Sequence, residues 1–432
     1  MIMRNQVILP EIYFDRALLS SLPSNLAEEI RRRGLILGNK VKEAKKVSFV
    51  GMLKLNECTY VFLPRSVKND IHEKQLSLAS NTLQAVTKYG RENKKNIDIM
   101  DGGDGRQGLD QLSIIFELLD DFRQNGIYTT RRDIRKLNLG KTDWKKTVNR
   151  VTPFPTKSGQ PVYLDTHGIK RQYFNNCEIA MIHANVIHHL DIHFSWIVTG
   201  TLQAIAPELK DYSLPKGNIT HQISRLTNEL NQTYSDRDIR LLKLLIRYLK
   251  TDSGTDRSDF ILGVQKFHFC WEHMLGKVLD HTVNLNRKFP APVYIDKDGE
   301  VLTADKKGMR TDIIMHDKVT NKYTIADAKY YAATEITNAP GWGDIVKQLF
   351  YEKALKTLDI DASIKNTFIF PGTAGNFKEV KIRDKQKSTE TGFIYIEDFK
   401  PIYCYYTDPM EVINHYLKGK KMAQLTADLL QH

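Results

Sequence analysis

TDIIMHDKVTNKYTIADAKYYAATEITNAPGWGDIVKQLFY, residues 311–351, is the stretch from which the fold is best read. It opens on a short strand-like run carrying Asp312, passes through the polar turn HDKVTNK, and returns in YTIADAKYY, which carries Asp327 and Lys329. Two β-rich runs about a polar turn predict a hairpin. In it, Asp312 near the start of one strand lies beside Asp327 near the end of the next. Residues two apart on a strand share a face, so Asp327 and Lys329 point the same way. Strand interiors are poor in Asp and Lys, so three such groups at matching positions need a chemical reason. The alternative is a surface hairpin with solvated charges. Two carboxylates with substrate phosphate suit a hard cation such as Mg²⁺. The ammonium can orient a water and offset charge on the phosphate under attack.

The pattern resembles the D…D-x-K arrangement of the PD-(D/E)xK nucleases. Asp312 takes the first acidic position, with Thr311 where proline is usual; Asp327 and Lys329 take the second acid and the lysine. The bare string is common by chance, and the apolar flanks and the hairpin turn give it its weight.

Around this stretch lie 432 residues, too many for one ordinary core, so several domains are expected. The formal net charge is +12, which favours a polyanionic partner, nucleic acid or an anionic membrane surface. No apolar run reaches transmembrane length. The start, MIMRNQVILPEIYFDRALL, is charged throughout and lacks a signal-peptide core. Cys58, Cys177, Cys270 and Cys404 are scattered without a C-x-x-C pair, so neither a disulfide framework nor a cysteine zinc site is indicated, and a reducing cytoplasm fits.

Upstream, 47–66 alternates as a strand pair and 77–90 reads as a helix ending at Gly90. Basic residues recur here, Arg31, Arg32, Arg33, Lys42, Lys45 and Lys46 among them, and fit a solvated helix face. A Gly/Asp-rich break at 97–108 marks a boundary. The helix 109–126 is periodic and stopped by Gly126. A short helix is expected from Thr129 or Thr130 to Gly140, and a third over 141–150 capped by Thr142 or Asp143. Residues 151–165 then read as two strands about the turn TKSGQ. That order is a winged helix-turn-helix. Lys141, Lys145, Lys146 and Arg150 on its third helix, and Lys157 in the wing, can hold phosphates; Lys145, Asn149 or Gln160 can reach base edges. A helical connector with charged faces is the competing view.

Two other signals fail on inspection. Gly140-Lys141-Thr142 imitates the end of a phosphate-binding loop, but Arg135 stands where its first glycine belongs. His189 and His193 have i, i+4 spacing, but Leu190 replaces the glutamate of a zinc-protease helix. Residues 178–250 read as mostly helical, looser at 207–218, and 251–258 is a polar break. DFILGVQKFHFCWEHMLGKVLDH, 259–281, is predicted to be one long helix with Phe267, Trp271, Met274, Leu275 and Val278 as its buried stripe. Beyond the hairpin, 341–356 is helical, with Asp344, Lys347, Gln348 and Tyr351 on one face; such a face can position the strand being cut. Two further strands, at 366–372 and 399–408, and a closing helix complete a mixed sheet flanked by helices.

A narrower resemblance rests on D-A-K-Y-Y, the D-I-x-K-Q-x-x-Y helix, the upstream W-E helix, and D-W-K-K-T-V before a proline-bearing hairpin. Together these look like the LlaJI-type restriction endonucleases, relatives of the nuclease subunit of McrBC systems. The resemblance implies an α+β multidomain chain whose C-terminal α/β/α core is a PD-(D/E)xK nuclease. It implies Mg²⁺-dependent cleavage of double-stranded DNA at or near a short recognised sequence, leaving 5′-phosphates. By the same resemblance Glu272 contacts the metal or its water, and Gln348 joins the catalytic set, with Lys347 on DNA. The implied partners are a cognate DNA methyltransferase, a separate McrB-like GTPase in some members, and a second copy in a homodimer. The division expected is an N-terminal α+β region 1–100, a winged-helix-like recognition domain 101–175, a helical connector 176–255 and a nuclease domain 256–432. A structure-specific repair nuclease and a non-catalytic DNA-binding regulator are the alternatives.

Overall fold

A computed structural model describes residues 9–38, 44–55, 58–67, 72–93, 106–174, 177–252, 260–304, 308–389 and 392–431. Most of the breaks expected at 97–108 and 251–258 fall outside these residues, as does Lys42. Two compact units emerge: residues 8–112 with 199–202 and 257–432, and a middle unit built chiefly from 113–198 and 203–256.

The N-terminal segment runs β1 (Glu11–Phe14), α1 (Ser24–Arg32), β2 (Val50–Leu55), β3 (Cys58–Leu63), α2 (His72–Glu92), β4 (Arg106–Gln107) and the start of α3 (Leu109–Asn125). The strand pair read at 47–66 is β2 with β3, antiparallel. Helix α2 continues two residues past Gly90. Helix α3 stops where Gly126 turns to φ +69°, a left-handed conformation glycine adopts freely.

The middle unit runs β5 (Thr130–Leu137), β6 (Lys141–Thr142), α4 (Trp144–Arg150), β7 (Phe154–Pro155), β8 (Pro161–Val162), β9 (His167–Phe174), α5 (Glu178–Thr199), α6 (Ile219–Leu230) and α7 (Asp236–Asp252). The short helix expected from Thr130 is instead strand β5, antiparallel to β9 over eight residue pairs. Its β-branched Thr130 and Ile134 suit a strand, and its hydrogen bonds are met by β9, some thirty residues on. The winged helix-turn-helix is therefore not formed as drawn. In its place α4 packs beside a three-stranded sheet of order β5-β9-β6, and β7 and β8 make a small hairpin about the predicted turn. Asp143 caps α4, accepting from the Lys146 backbone N–H at 3.1 Å. Helix α5 buries Ile182, Ile187, Leu190 and Trp196; α7 buries Leu241, Leu242, Leu245 and Leu249.

The C-terminal segment then returns to the first sheet. Residues 259–281 are not one helix: β10 (Phe260–Val264) precedes α8 (Phe267–Val278). Strand β10 lies antiparallel between β2 and β4, giving the order β1-β3-β2-β10-β4. The pairing depends on Gly51 facing Gly263. A Cβ on Gly263 would stand 2.4 Å from the Val50 carbonyl oxygen, and one on Gly51 2.3 Å from that of Leu262. The expected separation of 1–100 from 256–432 does not describe this sheet, which draws strands from both.

After α8 come β11 (Val293–Ile295), β12 (Val301–Thr303), β13 (Ile313–Asp317), β14 (Lys322–Ala328), α9 (Trp342–Leu358), β15 (Ser363–Pro371), β16 (Glu379–Val380), β17 (Arg383–Thr389), β18 (Gly392–Tyr395), β19 (Ile402–Thr407), α10 (Pro409–Lys418) and α11 (Ala423–Leu430). The predicted hairpin is β13 with β14; β15 and β19 continue parallel, and β16 closes the edge antiparallel, in the order β13-β14-β15-β19-β16. The mixed α+β architecture is as expected. Helix α8 is central to the core: Phe267, Trp271, Met274 and Leu275 are fully buried among Val50, Val86, Met315, Ile369 and Ile413. Burying each such apolar side chain contributes about 1.5–3 kcal/mol.

Candidate active site

The hairpin register that pairs Ile313 with Ala326 extends one step to set Asp312 opposite Asp327. Asp312 Oδ2 accepts from the Ala328 backbone N–H at 3.0 Å, pinning it across the strand end. Lys329 follows β14, its N–H donating to the Ile369 carbonyl of β15 at 3.0 Å. Its Nζ lies 2.8 Å from Asp327 Oδ2 and donates to Asp344 Oδ1 of α9 at 2.7 Å. The Tyr331 hydroxyl donates to the other Asp344 oxygen at 3.3 Å. Beneath the lysine, Tyr330 is buried against the rings of Phe267 and Trp271, 5.1 and 6.3 Å away. The loop carrying Lys329 is thus anchored on both sides.

Glu272 on α8 faces the same spot. Burial, then the Asp327 charge, pushes its carboxyl up to about 7, against the pull of Lys329, Lys347 and Arg310. Asp312 keeps an open side to solvent. Withdrawal from water, then the Glu272 and Asp327 carboxylates, push its carboxyl up to about 9. Burial alone would lower the Lys329 ammonium, but Asp327 and Asp344 hold it above its usual range. Acids crowded so closely resist ionising together. A divalent cation relieves such crowding.

Among the described residues no three His, Cys, Asp or Glu side chains close round one point as a finished metal cage. Mg²⁺ does not need one: one or two carboxylates suffice, with water and substrate phosphate completing the shell. Asp312 and Asp327 supply two, with Glu272 nearby, so the donor set fits.

Gln348 lies elsewhere than an open cleft. It is fully buried, its Nε2 donating to the Thr367 carbonyl of β15 at 3.3 Å, and so fastens α9 to the sheet. Lys347 is exposed, its Nζ 5.9 Å from the centre of the Tyr351 ring, and the Tyr351 hydroxyl donates to the Arg310 carbonyl. Asp344 stood on the helix face read from the sequence, but its grip on Lys329 was not foreseen. The two are fifteen residues apart across a loop, and only the tertiary fold joins them.

The remaining candidates belong to the middle unit. Lys145, Asn149 and Arg150 are exposed on α4, with Lys146 half-buried; Lys141 is exposed just before them. Lys157 and Gln160 are exposed in the β7–β8 turn, which Thr156 ties by hydrogen bonds to the Gln160 backbone. His189 Nδ1 lies 3.0 Å from the Tyr248 hydroxyl. Among the described residues no helix is long and apolar enough to cross a membrane.

Comparison with known proteins adds three findings. A family model described as LlaJI restriction endonuclease matches residues 49–399. The chain is 28% identical over 310 residues to a Bacillus subtilis (strain 168) protein described as type II restriction enzyme BsuMI component YdjA; the match covers 68% of this chain and 62% of that relative, so the chain spans less than two thirds of the relative's length. Among solved structures it is similar to a half-complex of Thermococcus gammatolerans McrB AAA+ hexamers with bound McrC, with a TM-score of 0.40 at 10% identity, covering 95% of this chain and 99% of that one. A second, the McrBC complex of the same organism, has a TM-score of 0.26 at 10% identity, covering 61% and 85%. Overlaps this loose carry no argument about function.

Proposed function

The chain belongs to the LlaJI restriction endonuclease family, and from that membership we propose that it hydrolyses phosphodiester bonds of double-stranded DNA, as a restriction endonuclease or the nuclease subunit of one. The observation that carries the reading is the meeting of Asp312, Asp327 and Lys329 at the end of one hairpin, with Glu272 beside them. The core is read as a PD-(D/E)xK nuclease on the same residues.

Asp312 and Asp327 would hold Mg²⁺, with Glu272 as a further acid at its edge. Bound there, the ion would supply Lewis-acid stabilisation of the phosphate and lower the pKa of the attacking water. Lys329 stays protonated beside Asp327 and offsets charge building on the phosphate in the transition state. Asp344 keeps the ammonium in place, and Gln348 holds α9 against β15 so that Asp344 does not drift. In-line attack would leave a 5′-phosphate. The basic face of α4 and the β7–β8 turn are assigned to DNA backbone contact, with sequence reading there or nearby.

The word component in the name of the B. subtilis relative supports action beside other chains. For this protein the proposed companions are a cognate methyltransferase and a McrB-like motor. Incubation of plasmid DNA with the protein and Mg²⁺, followed by sequencing of the ends, tests the reading. Defined ends bearing 5′-phosphate, absent with Asp327→Ala, are expected. Persistently intact plasmid, with and without a co-expressed motor, refutes it. Sequence-independent cutting at forks and single-strand junctions would make the protein a repair nuclease instead.

A further inference from the structure

Beside the carboxylate cluster is an open cleft of about 510 Å³ that the mechanism above does not use. Met309 and Arg310, from the segment leading into β13, form one wall; Val346, Lys347, Phe350 and Tyr351 of α9 form the other. Its apolar lining is not ordinary surface. Val346 and Phe350, four residues apart on α9, are 43% and 59% exposed, and Trp342, one turn before them and outside the lining, is 65% exposed. A row of large apolar side chains open to water marks a binding surface more often than a resting one. Its chemistry is two-sided. Phe350, Val346 and Met309 offer an apolar face, while Arg310 and Lys347 bring positive charge near enough to act on Glu272. Arg310 is two residues from Asp312, and the Tyr351 hydroxyl holds the Arg310 backbone in place. On the nuclease reading, whatever lies in the cleft lies next to the phosphate being cut.

A flat apolar ring flanked by cations matches one nucleotide: base on the ring, phosphate on the cations. A base within a duplex offers only its edges, so its flat face can reach Phe350 only after leaving the stack. We propose that this cleft seats a single unstacked nucleotide of the DNA strand adjacent to the scissile phosphate, its base against Phe350 and its phosphate held by Arg310 and Lys347. This rests on the nuclease reading for its place in the reaction, but the binding site stands on its own geometry. Seating the neighbour in this way would hold the scissile phosphate in register with Asp312 and Asp327 while the rest of the duplex is held elsewhere.

The test uses the full chain and a thymidine oligonucleotide of about 20 nucleotides, longer than the roughly 4–16 that one single-strand site engages. A central 5-iodouracil is photo-crosslinked and the modified peptide identified by mass spectrometry. A crosslink on Phe350 or Tyr351 is expected, reduced about tenfold in Phe350→Ala, in keeping with removal of one base–aromatic stack, and retained in Phe350→Trp. A crosslink mapping only to other elements, or an undiminished yield in a Phe350→Ala protein whose melt matches wild type, overturns the proposal; a second copy or a protein partner would then be the natural occupant. Asp327→Ala should crosslink like wild type. A protein that crosslinks at α9 but never cuts leaves the cleft standing and sinks the nuclease reading, whereas one that cuts without that crosslink sinks the cleft alone.

Discussion

Asp344 on α9 accepts a hydrogen bond from the Lys329 ammonium at 2.7 Å, closer than Lys329 stands to Asp327. The lysine is therefore placed by a helix as well as by its own strand. A charged hydrogen bond of this kind is worth about 1.5–3 kcal/mol, so Asp344→Asn should slow cleavage by roughly 10- to 150-fold. DNA affinity should be unchanged. Asp344→Glu should recover part of the rate, because it restores the charge with a longer reach. Single-turnover cutting of plasmid, set beside a gel-shift titration, separates the two effects; equal losses in rate and affinity would make Asp344 a DNA contact instead.

Asp327→Ala and Lys329→Ala should each abolish cutting while leaving DNA binding, since the proposed chemistry uses both at the reacting phosphate rather than for grip on the duplex. Plasmid nicking and gel shift on the same preparations check this. Near wild-type cutting by either folded variant would remove the site from this hairpin end.

The double substitution Lys145→Ala with Lys146→Ala should weaken DNA binding and flatten its dependence on log salt by about one to two units, near 0.9 for each phosphate left without its cation. Fluorescence anisotropy across a salt series measures the slope. An unaltered slope would move backbone binding away from α4.

Gly263→Ala places a methyl 2.4 Å from the Val50 carbonyl and 2.6 Å from the Phe49 ring. Neither a strand backbone nor a fully buried ring gives way cheaply, so a loss of about 1–3 kcal/mol is expected. It should appear as a lower urea midpoint. The same change at Gly276, where a Cβ meets nothing within 4 Å, should not cost stability and serves as the control.

His183 is fully buried in α5, its Nδ1 accepting from the Tyr128 backbone N–H at 3.1 Å. Burial pushes its pKa down to about 4 from an ordinary 6.5. Between those values the unfolded chain binds a proton that the folded one refuses. Stability is therefore undiminished above about pH 6.5 and falls as pH drops toward 4, by at most about 1.4 kcal/mol per pH unit. Melts at pH 7 and pH 5 should show this loss in wild type and a smaller one in His183→Asn, which keeps an acceptor but no titrating ring.

Where a signal was local, it could be read from the chain. The β13–β14 hairpin declares itself by alternation about a polar turn, and with it come Asp312, Asp327 and Lys329. The stripe of Phe267, Trp271 and Met274 announces a buried helix. Two elements were misread because their partners are remote. FILGV became the front of a helix on paper, yet its conformation is settled by Gly51, more than two hundred residues earlier. TRRDIRKL carries charges at spacings that suit either period, and β9 decides between them. The grip of Asp344 on Lys329 was hidden for the same reason: each was singled out on its own element, but nothing local joins a strand end to a helix fifteen residues on.

The sheet β1-β3-β2-β10-β4 is finished by a strand that a ribosome makes last among its members. Until residue 264 has emerged, β2 has an open edge and the residues that pack on α8 have nothing to cover. Every shortened translation product that stops before then lacks both the completed sheet and the whole acidic cluster. On the nuclease reading proposed above, the order of synthesis itself becomes a safeguard: a half-made chain would carry none of the acids assigned to cutting.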